Sequence, residues 1–278
     1  MISKLIVIAG AGSYPRLVAE GARRAGVERV DVLAVRGSTE RATLNAADKV
    51  HTIGIGEVAS GIDWVAGEGY DGAILAGQIN PLSLFRSRFD AQTRQWLSEL
   101  PVKSAHSIFG KLIEKFSLAG VKILPASLYM DDCVPQAGVL TDRGFSEQEA
   151  SDIDHAQSVA YDIGIHDVGQ TVMVKNGMVL AVEAFEGTNA AIRRGGRLGG
   201  AGSVVFKAAR RGHDMRFDIP VVGLKTLQVM KRARVGALGF HAGRLILLDR
   251  ERVIDFANRN DIAMVALPTD LPAAPLRP

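Results

Sequence analysis

The sequence predicts an α/β protein: a Rossmann-like parallel-sheet N-terminal domain followed by a mixed-sheet α/β C-terminal domain. Three observations carry that expectation. Near-continuous apolar runs at 2–9 and 72–76 read as strands buried on both faces of a sheet. These runs alternate with stretches of helical spacing through residue 124, the mark of a parallel sheet covered by helices. In the second half, Asn176-Gly177 between two apolar runs signals a hairpin and therefore antiparallel pairing.

The elements follow in order. The strand at 2–9 runs into the turn Gly10-Ala11-Gly12-Ser13, and Pro15 suits the first position of the helix that carries Leu17, Val18 and Ala22. Strands are expected at 29–35, 49–55 and 72–76, with a short helix at 56–66. The fourth strand ends in Gly77-Gln78-Ile79-Asn80-Pro81. Residues 107–118 have amphipathic helical spacing and 121–124 read as another strand. From 130 to 141 the periodicity stops and Pro135 and Gly138 enter, so the domains are set at 1–132 and 142–278, with 133–141 as a linker.

The C-terminal domain opens at 146–163 with Ser146 and Glu149 spaced as a capping box. Strands at 170–174 and 178–183 flank the hairpin turn, and a helix starts near Thr188. A strand at 203–207, a helix at 225–233, strands at 237–240 and 245–248 and a helix at 251–259 follow, and 262–266 closes the sheet. The tail after Leu267 is Pro-rich and reads as loose.

Composition narrows the function classes. The 278 residues are 47% hydrophobic, enough for a sizeable core, and thirty glycines against 6% aromatics suit tight turns and close backbone approaches. A net charge of +3 without a basic stripe excludes nucleic acid as a partner and leaves room for a phosphorylated substrate or an anionic lipid. Cys133 is the single cysteine, so a disulfide within the chain and a cysteine-based zinc site are both excluded, which fits a reducing cytoplasm. The apolar run at the start is too short for a signal peptide, and no apolar segment is long enough to cross a bilayer, so any membrane contact is expected to be peripheral.

The residues that bear chemistry gather at strand ends. Gly10, Gly12 and Ser13 form either an anion pocket at a helix N-terminus or a plain tight turn; the dinucleotide fingerprint would need a further glycine near Arg16 and an acid at the end of strand two. Gln78 is placed to hydrogen-bond a base or sugar, or is a polar loop residue. Glu183 and Glu186 surround the joint Gly187-Thr188, a flexible N-cap whose free amides suit a phosphate, with Arg193 and Arg194 close by in sequence. Asp214, Arg216 and Asp218 would share one face of a strand. Two like charges so close need a compensating cation: either Mg²⁺, which takes one or two carboxylates plus substrate phosphates, or Arg216 in an internal ion pair. Lys207, with Arg210 and Arg211, would neutralise a phosphate.

These motifs together resemble one family. The segments IAGAGSYPRLVAE, AGQINP, DVGQTVMVKNGMVLAVEAFEGTNAAIRR and DMRFDIPVVGLKTL, spread over nearly the whole chain, are similar to those of the UDP-2,3-diacylglucosamine pyrophosphatases of lipid A biosynthesis, the branch unrelated to calcineurin-like phosphoesterases. The family usually carries an acid after Glu-Gly-Thr, where this chain has Asn189. The resemblance implies Mg²⁺-dependent hydrolysis of UDP-2,3-diacylglucosamine to UMP and 2,3-diacylglucosamine 1-phosphate (lipid X) by a cytoplasmic protein peripheral on the inner face of the cytoplasmic membrane. It implies Asp218 as an essential carboxylate, with Asp214, Glu183 and Glu186 as partners.

The residues then take expected roles. Asp214, Asp218 and Glu183 hold Mg²⁺. Asp218, Asp214, Glu186, Lys207 and Arg216 carry catalysis. Gly10, Gly12, Ser13, Gln78, Gly187, Thr188 and Arg193 bind substrate, with the acyl chains in the cleft between domains. The sequence leaves room for a homodimer. Two alternatives stand beside this reading: a nucleotide-binding Rossmann-type oxidoreductase, and a sugar-nucleotide sensor that leaves its ligand intact.

Overall fold

Short apolar strands, rich in Val, Ile and Ala and separated by turn glycines, build two main sheets. The structure, a computed structural model, describes residues 2–79, 88–101, 105–209, 214, 216–217 and 219–276. The chain divides into two units: residues 1–131 with 215–218 and 275–278, and residues 132–214 with 219–274.

In the first unit, β1 (Lys4–Ala9), β2 (Arg29–Val35), β3 (Val50–Ile53) and β4 (Gly72–Ala76) form a parallel sheet in the order β3-β2-β1-β4. The helices α1 (Tyr14–Arg24), α2 (Arg41–Asn45), α3 (Val58–Gly67), α4 (Ala91–Ser98) and α5 (Ala105–Leu118) accompany it. Leu5, Ile6, Val7, Val32, Leu33 and Ile74 are buried, as parallel strands covered on both faces require. The expected strand at 121–124 is reduced to an isolated parallel bridge between Ala73 and Ile123.

The order of strands matters for function. The chain moves outward from β1 to β3 and then returns to place β4 on the other side of β1, so the switch point lies between the carboxyl ends of β1 and β4. There the two turns are sutured by backbone: Gly10 N donates to Ala76 O at 2.8 Å, Ala11 N to Gln78 O at 2.8 Å and Gln78 N to Ala11 O at 2.9 Å. The closeness explains the glycine, since a Cβ on Gly10 would lie 2.6 Å from Gln78 O.

The second unit holds a six-stranded mixed sheet in the order β5-β12-β10-β8-β6-β7. Its strands are β5 (Gly138–Val139), β6 (Thr171–Lys175), β7 (Met178–Val182), β8 (Ser203–Lys207), β10 (Val235–His241) and β12 (Ala263–Leu267). A separate pair joins β9 (Val221–Val222) to β11 (Ile246–Leu247). Two expectations change here. The strand read at 245–248 leaves the main sheet, and the segment 133–141 contributes β5, which pairs antiparallel with β12, so 262–266 does not close the sheet.

One face of this sheet carries α6 (Glu147–Ile165), where Ile153, Ala156 and Ala160 pack on Val172, Val174, Val204 and Phe206. The next residues along the same strands, Met173 and Val205, turn to a second cluster with Ile192 of α7 (Thr188–Gly199), Leu227 and Met230 of α8 (Leu224–Arg232) and Val253 of α9 (Arg250–Asn258). This alternation is the period-two pattern of a strand with both faces buried. The capping box is present: Ser146 Oγ accepts from Glu149 N and Glu149 Oε2 from Ser146 N. The hairpin turn places Asn176 and Gly177 at φ 49° and 74°, and both amides donate to Asp152 of α6, at 2.8 and 2.7 Å. Among the described residues no helix is long and apolar enough to cross a membrane.

The suture gives a direct test. Gly10→Ala forces backbone apart and should cost about 1–3 kcal/mol. Gly110→Ala, in α5 with nothing within 4 Å of the added carbon, should stabilise by about 0.5–1 kcal/mol. Urea unfolding of the two variants checks the pair; equal effects would refute the role given to the Gly10 turn.

Candidate active site

Strand register assembles the polar corner of the second unit. Thr171 pairs with Lys207 across β6 and β8, and Val172 pairs with Val182, so Glu183 follows as the neighbour of Thr171, its amide donating to Thr171 O at 2.8 Å. Residues opposite one another in a sheet project to the same face. Glu183, Thr171 and Lys207 therefore form a row at one edge of the sheet, at the carboxyl end of β8.

The first turn of α7 lies against this row. Gly187, at φ 80°, is its N-cap, a backbone conformation that a side chain would strain. The turn delivers Thr188, whose hydroxyl joins two charged groups: Lys207 Nζ donates to Thr188 Oγ1 at 2.8 Å, and Thr188 Oγ1 donates to Glu183 Oε1 at 2.8 Å. Lys207 is 7% exposed, so this ammonium is held almost out of water. The other oxygen of the carboxylate, Glu183 Oε2, is buried and accepts no hydrogen bond, and the same is true of Asn189 Oδ1 one residue beyond Thr188. Buried acceptors normally receive a donor from protein or ordered water.

The two glutamates differ in environment. Glu186 is exposed and ion-paired, Arg194 Nη2 to Glu186 Oε1 at 2.5 Å, and this hydrogen bond holds its carboxyl below the usual carboxylate range. Arg194 also donates to Val182 O at 2.8 Å. Glu183 keeps one oxygen available. Arg193 is exposed on α7.

Asp214 and Arg216 do not lie on the expected strand. Asp214 is half-buried outside any helix or strand, and Arg216 and Phe217 form a turn. Phe217 groups with the first unit, where it stacks on Phe109 at 5.6 Å between ring centroids. An aromatic anchor inside the run breaks the alternation that a strand needs. Asp218, like Arg210, Arg211, His213 and Asn80, lies outside the described residues. Among the described residues no group of three or more His, Cys, Asp or Glu side chains is arranged to hold a metal. The donor chemistry still fits Mg²⁺ in one respect: Glu183 Oε2 is a hard anionic oxygen with its own hydrogen-bond capacity unused.

In the first unit, Gly10, Gly12, Ser13 and Gln78 meet at the β1–β4 switch point. Gly12 takes φ 92°, Ser13 is the N-cap of α1, and Gln78 is exposed. The amide of Gly10 is used by Ala76 of β4 and that of Ala11 by Gln78, two residues beyond it.

Sequence reasoning passed over His241 and Tyr161. His241 ends β10, 1% exposed; its Nε2 shares a 3.0 Å hydrogen bond with the Tyr161 hydroxyl, and its ring stands edge-on to Phe206, with centroids 5.1 Å apart. No spacing rule flags a histidine whose partner comes from a helix eighty residues earlier.

Residues 4–133 match the LpxI N-terminal domain and residues 136–265 the LpxI C-terminal domain. The chain belongs to the LpxI family. A relative from Caulobacter vibrioides, the UDP-2,3-diacylglucosamine pyrophosphatase LpxI, is 31% identical over 280 residues, covering 96% of this chain and 98% of its own. Among solved structures, the biotin carboxylase subunit of pyruvate carboxylase aligns with 67% of this chain and 39% of its own, at 16% identity and a TM-score of 0.28. A phosphoribosylglycinamide synthetase from Anaerococcus prevotii aligns with 64% and 38%, at 10% identity and a TM-score of 0.23. The chain thus spans well under half of those proteins.

The buried histidine makes stability depend on pH. Burial, with Arg244 as the nearby cation, pushes the His241 imidazole down to about 4. The unfolded chain binds the proton more readily, at about 6.5, so stability is intact above that pH and falls as pH drops toward 4, by on the order of 3 kcal/mol in all. Urea midpoints of wild type and His241→Asn at pH 7.5 and 4.5 test this. The wild type should lose more than the variant; equal losses would rule out the histidine as the source.

Proposed function

We propose that this chain hydrolyses the diphosphate of UDP-2,3-diacylglucosamine, giving UMP and 2,3-diacylglucosamine 1-phosphate in lipid A biosynthesis, and that it depends on Mg²⁺. Membership of the LpxI family supports the reaction class, and the observation that carries the site is the Lys207–Thr188–Glu183 chain with its unused carboxylate oxygen. In the reaction, a water oxygen forms a bond to one phosphorus while the bridging P–O bond breaks; one water proton is released and the other stays on the new phosphate.

Each residue then has a task that its surroundings prepare. Thr188 fixes the rotamer of Glu183 through Oε1, so Oε2 points without competition at whatever occupies the corner. Glu183, Asp214 and Asp218 are assigned to the ion. Bound there, Mg²⁺ supplies charge neutralisation and polarisation at the diphosphate, the usual need in phosphoryl transfer. Lys207, held almost dry, meets phosphate oxygens with little water to screen it, where a cation acts most strongly. Arg216 adds a second cation. The amides at the start of α7, Thr188 among them, and Arg193 on its outer face favour an anion. The exposed Gln78 and the Gly12–Ser13 turn of the first unit are assigned to the nucleotide. A substrate with two acyl chains resides in a membrane, so the protein works as a peripheral one at the inner face of the cytoplasmic membrane.

Glu186 is the weaker of the two glutamates for a direct part, because Arg194 already occupies its carboxylate. The test is release of UMP from the diacylated sugar nucleotide, with Mg²⁺ or with EDTA. Wild type should turn over only with the metal. Glu183→Gln, which keeps the shape and the Thr188 bond but removes the charge, should lower kcat by roughly 100-fold or more. Asp218→Ala should abolish turnover in a folded protein. Release that survives EDTA, or Glu183→Gln within about threefold of wild type, would overturn the assignment.

A further inference from the structure

The carboxylate of Glu183 has a neighbour in the same condition. Asn189 occupies the first turn of α7, directly after Thr188, and its Oδ1 is buried without a hydrogen-bond donor. The groups between them are satisfied, since Thr188 receives Lys207 and gives to Glu183. Glu183 Oε2 and Asn189 Oδ1 are thus buried acceptors before and after Thr188 in the chain, and burying an acceptor forfeits its hydration with nothing returned.

The chemistry of an amide oxygen narrows the occupant. At neutral pH phosphate oxygens only accept hydrogen bonds, so Asn189 Oδ1 is unsuited to the diphosphate itself. A hydroxyl or an amide N–H is the matching group. The glucosamine of the proposed substrate offers both: free hydroxyls and the N–H of its 2-acylamido group. It is joined to the diphosphate through a single oxygen, as is the ribose with its 2′ and 3′ hydroxyls on the nucleotide side, whereas the N–H of uracil stands a whole ribose away. Because the nucleotide, ribose included, is assigned to the Gln78 and Gly12–Ser13 turns, the glucosamine is the part assigned to the residue after Thr188.

We infer that Asn189 is a specificity residue, whose Oδ1 accepts a hydrogen bond from a hydroxyl or the amide N–H of the substrate's glucosamine. This rests on the pyrophosphatase reading of the same corner. Being neutral, the amide selects a sugar donor without adding a further negative charge beside a diphosphate.

Binding in EDTA separates this inference from catalysis, because no turnover is needed. Isothermal calorimetry in one fixed detergent would compare UDP-2,3-diacylglucosamine with UDP, using wild type, Asn189→Leu and Asn189→Asp. Leu removes the acceptor and should weaken the sugar nucleotide by roughly tenfold, with UDP unchanged. Asp keeps an oxygen in the same place and should stay within about fivefold of wild type for the sugar nucleotide, with a thermal midpoint to match. The inference is overturned if Leu binds the sugar nucleotide within about twofold of wild type, if Leu weakens UDP as much as the sugar nucleotide, or if Asp loses as much as Leu. A wild type that binds and hydrolyses the sugar nucleotide while Leu is unaffected sinks this inference alone. A wild type that binds neither ligand removes the pyrophosphatase reading with it.

Discussion

The register of β6 against its two neighbours decides where the polar corner of the second unit lies. Pairing Thr171 with Lys207 on one side and with Glu183 on the other sends an ammonium and a carboxylate to the same face, where the start of α7 can bridge them. A slip of one residue would turn all three to the opposite face. The hydrophobic pattern prevents it. Met173 and Val205 belong to the cluster under α7 while Val172 and Val204 belong to the cluster under α6, so the slip would exchange both cores at once. The hairpin turn adds a second lock, since Asp152 of α6 holds the amides of Asn176 and Gly177.

This arrangement also shows how one short loop treats two acids differently. Glu183 continues from a strand and meets a hydroxyl, which leaves one oxygen in the dry corner. Glu186, three residues on, faces water and an arginine on the next helical turn. A carboxylate already neutralised at the surface gains little by meeting another cation. The difference comes from the turn at 184–187, closed by Gly187 N donating to Ala184 O at 3.1 Å: Glu183 precedes it at the strand end and Glu186 lies within it.

Much of the fold was legible in the sequence, because it rests on local patterns. The strands at 29–35, 72–76 and 203–207 were read at their observed limits, and the capping box and Asn-Gly turn work through contacts within a few residues. What escaped depends on distant pairing. The two-residue strands β5 and β9 have no period of their own and exist only through β12 and β11. The 121–124 run was apolar enough for a strand, but only Ile123 pairs with β4. At the site, sequence named Glu183, Thr188 and Lys207, since they sit at strand and helix ends; it could not show that one hydroxyl joins them. Asp214 and Arg216 were misjudged as strand residues because Phe217, which looks like an alternating apolar position, is an anchor in a turn.

On the proposed function, Glu183 presents a prepared oxygen to a divalent ion. Anomalous scattering from crystals soaked with Mn²⁺ and a non-hydrolysable analogue of the sugar nucleotide tests it most directly. A manganese peak bound by Glu183 Oε2, with the Thr188 bond to Oε1 retained, is the predicted result. A clear analogue density with no metal at Glu183, its carboxylate instead taken by a ligand hydroxyl or by Lys207, would contradict it.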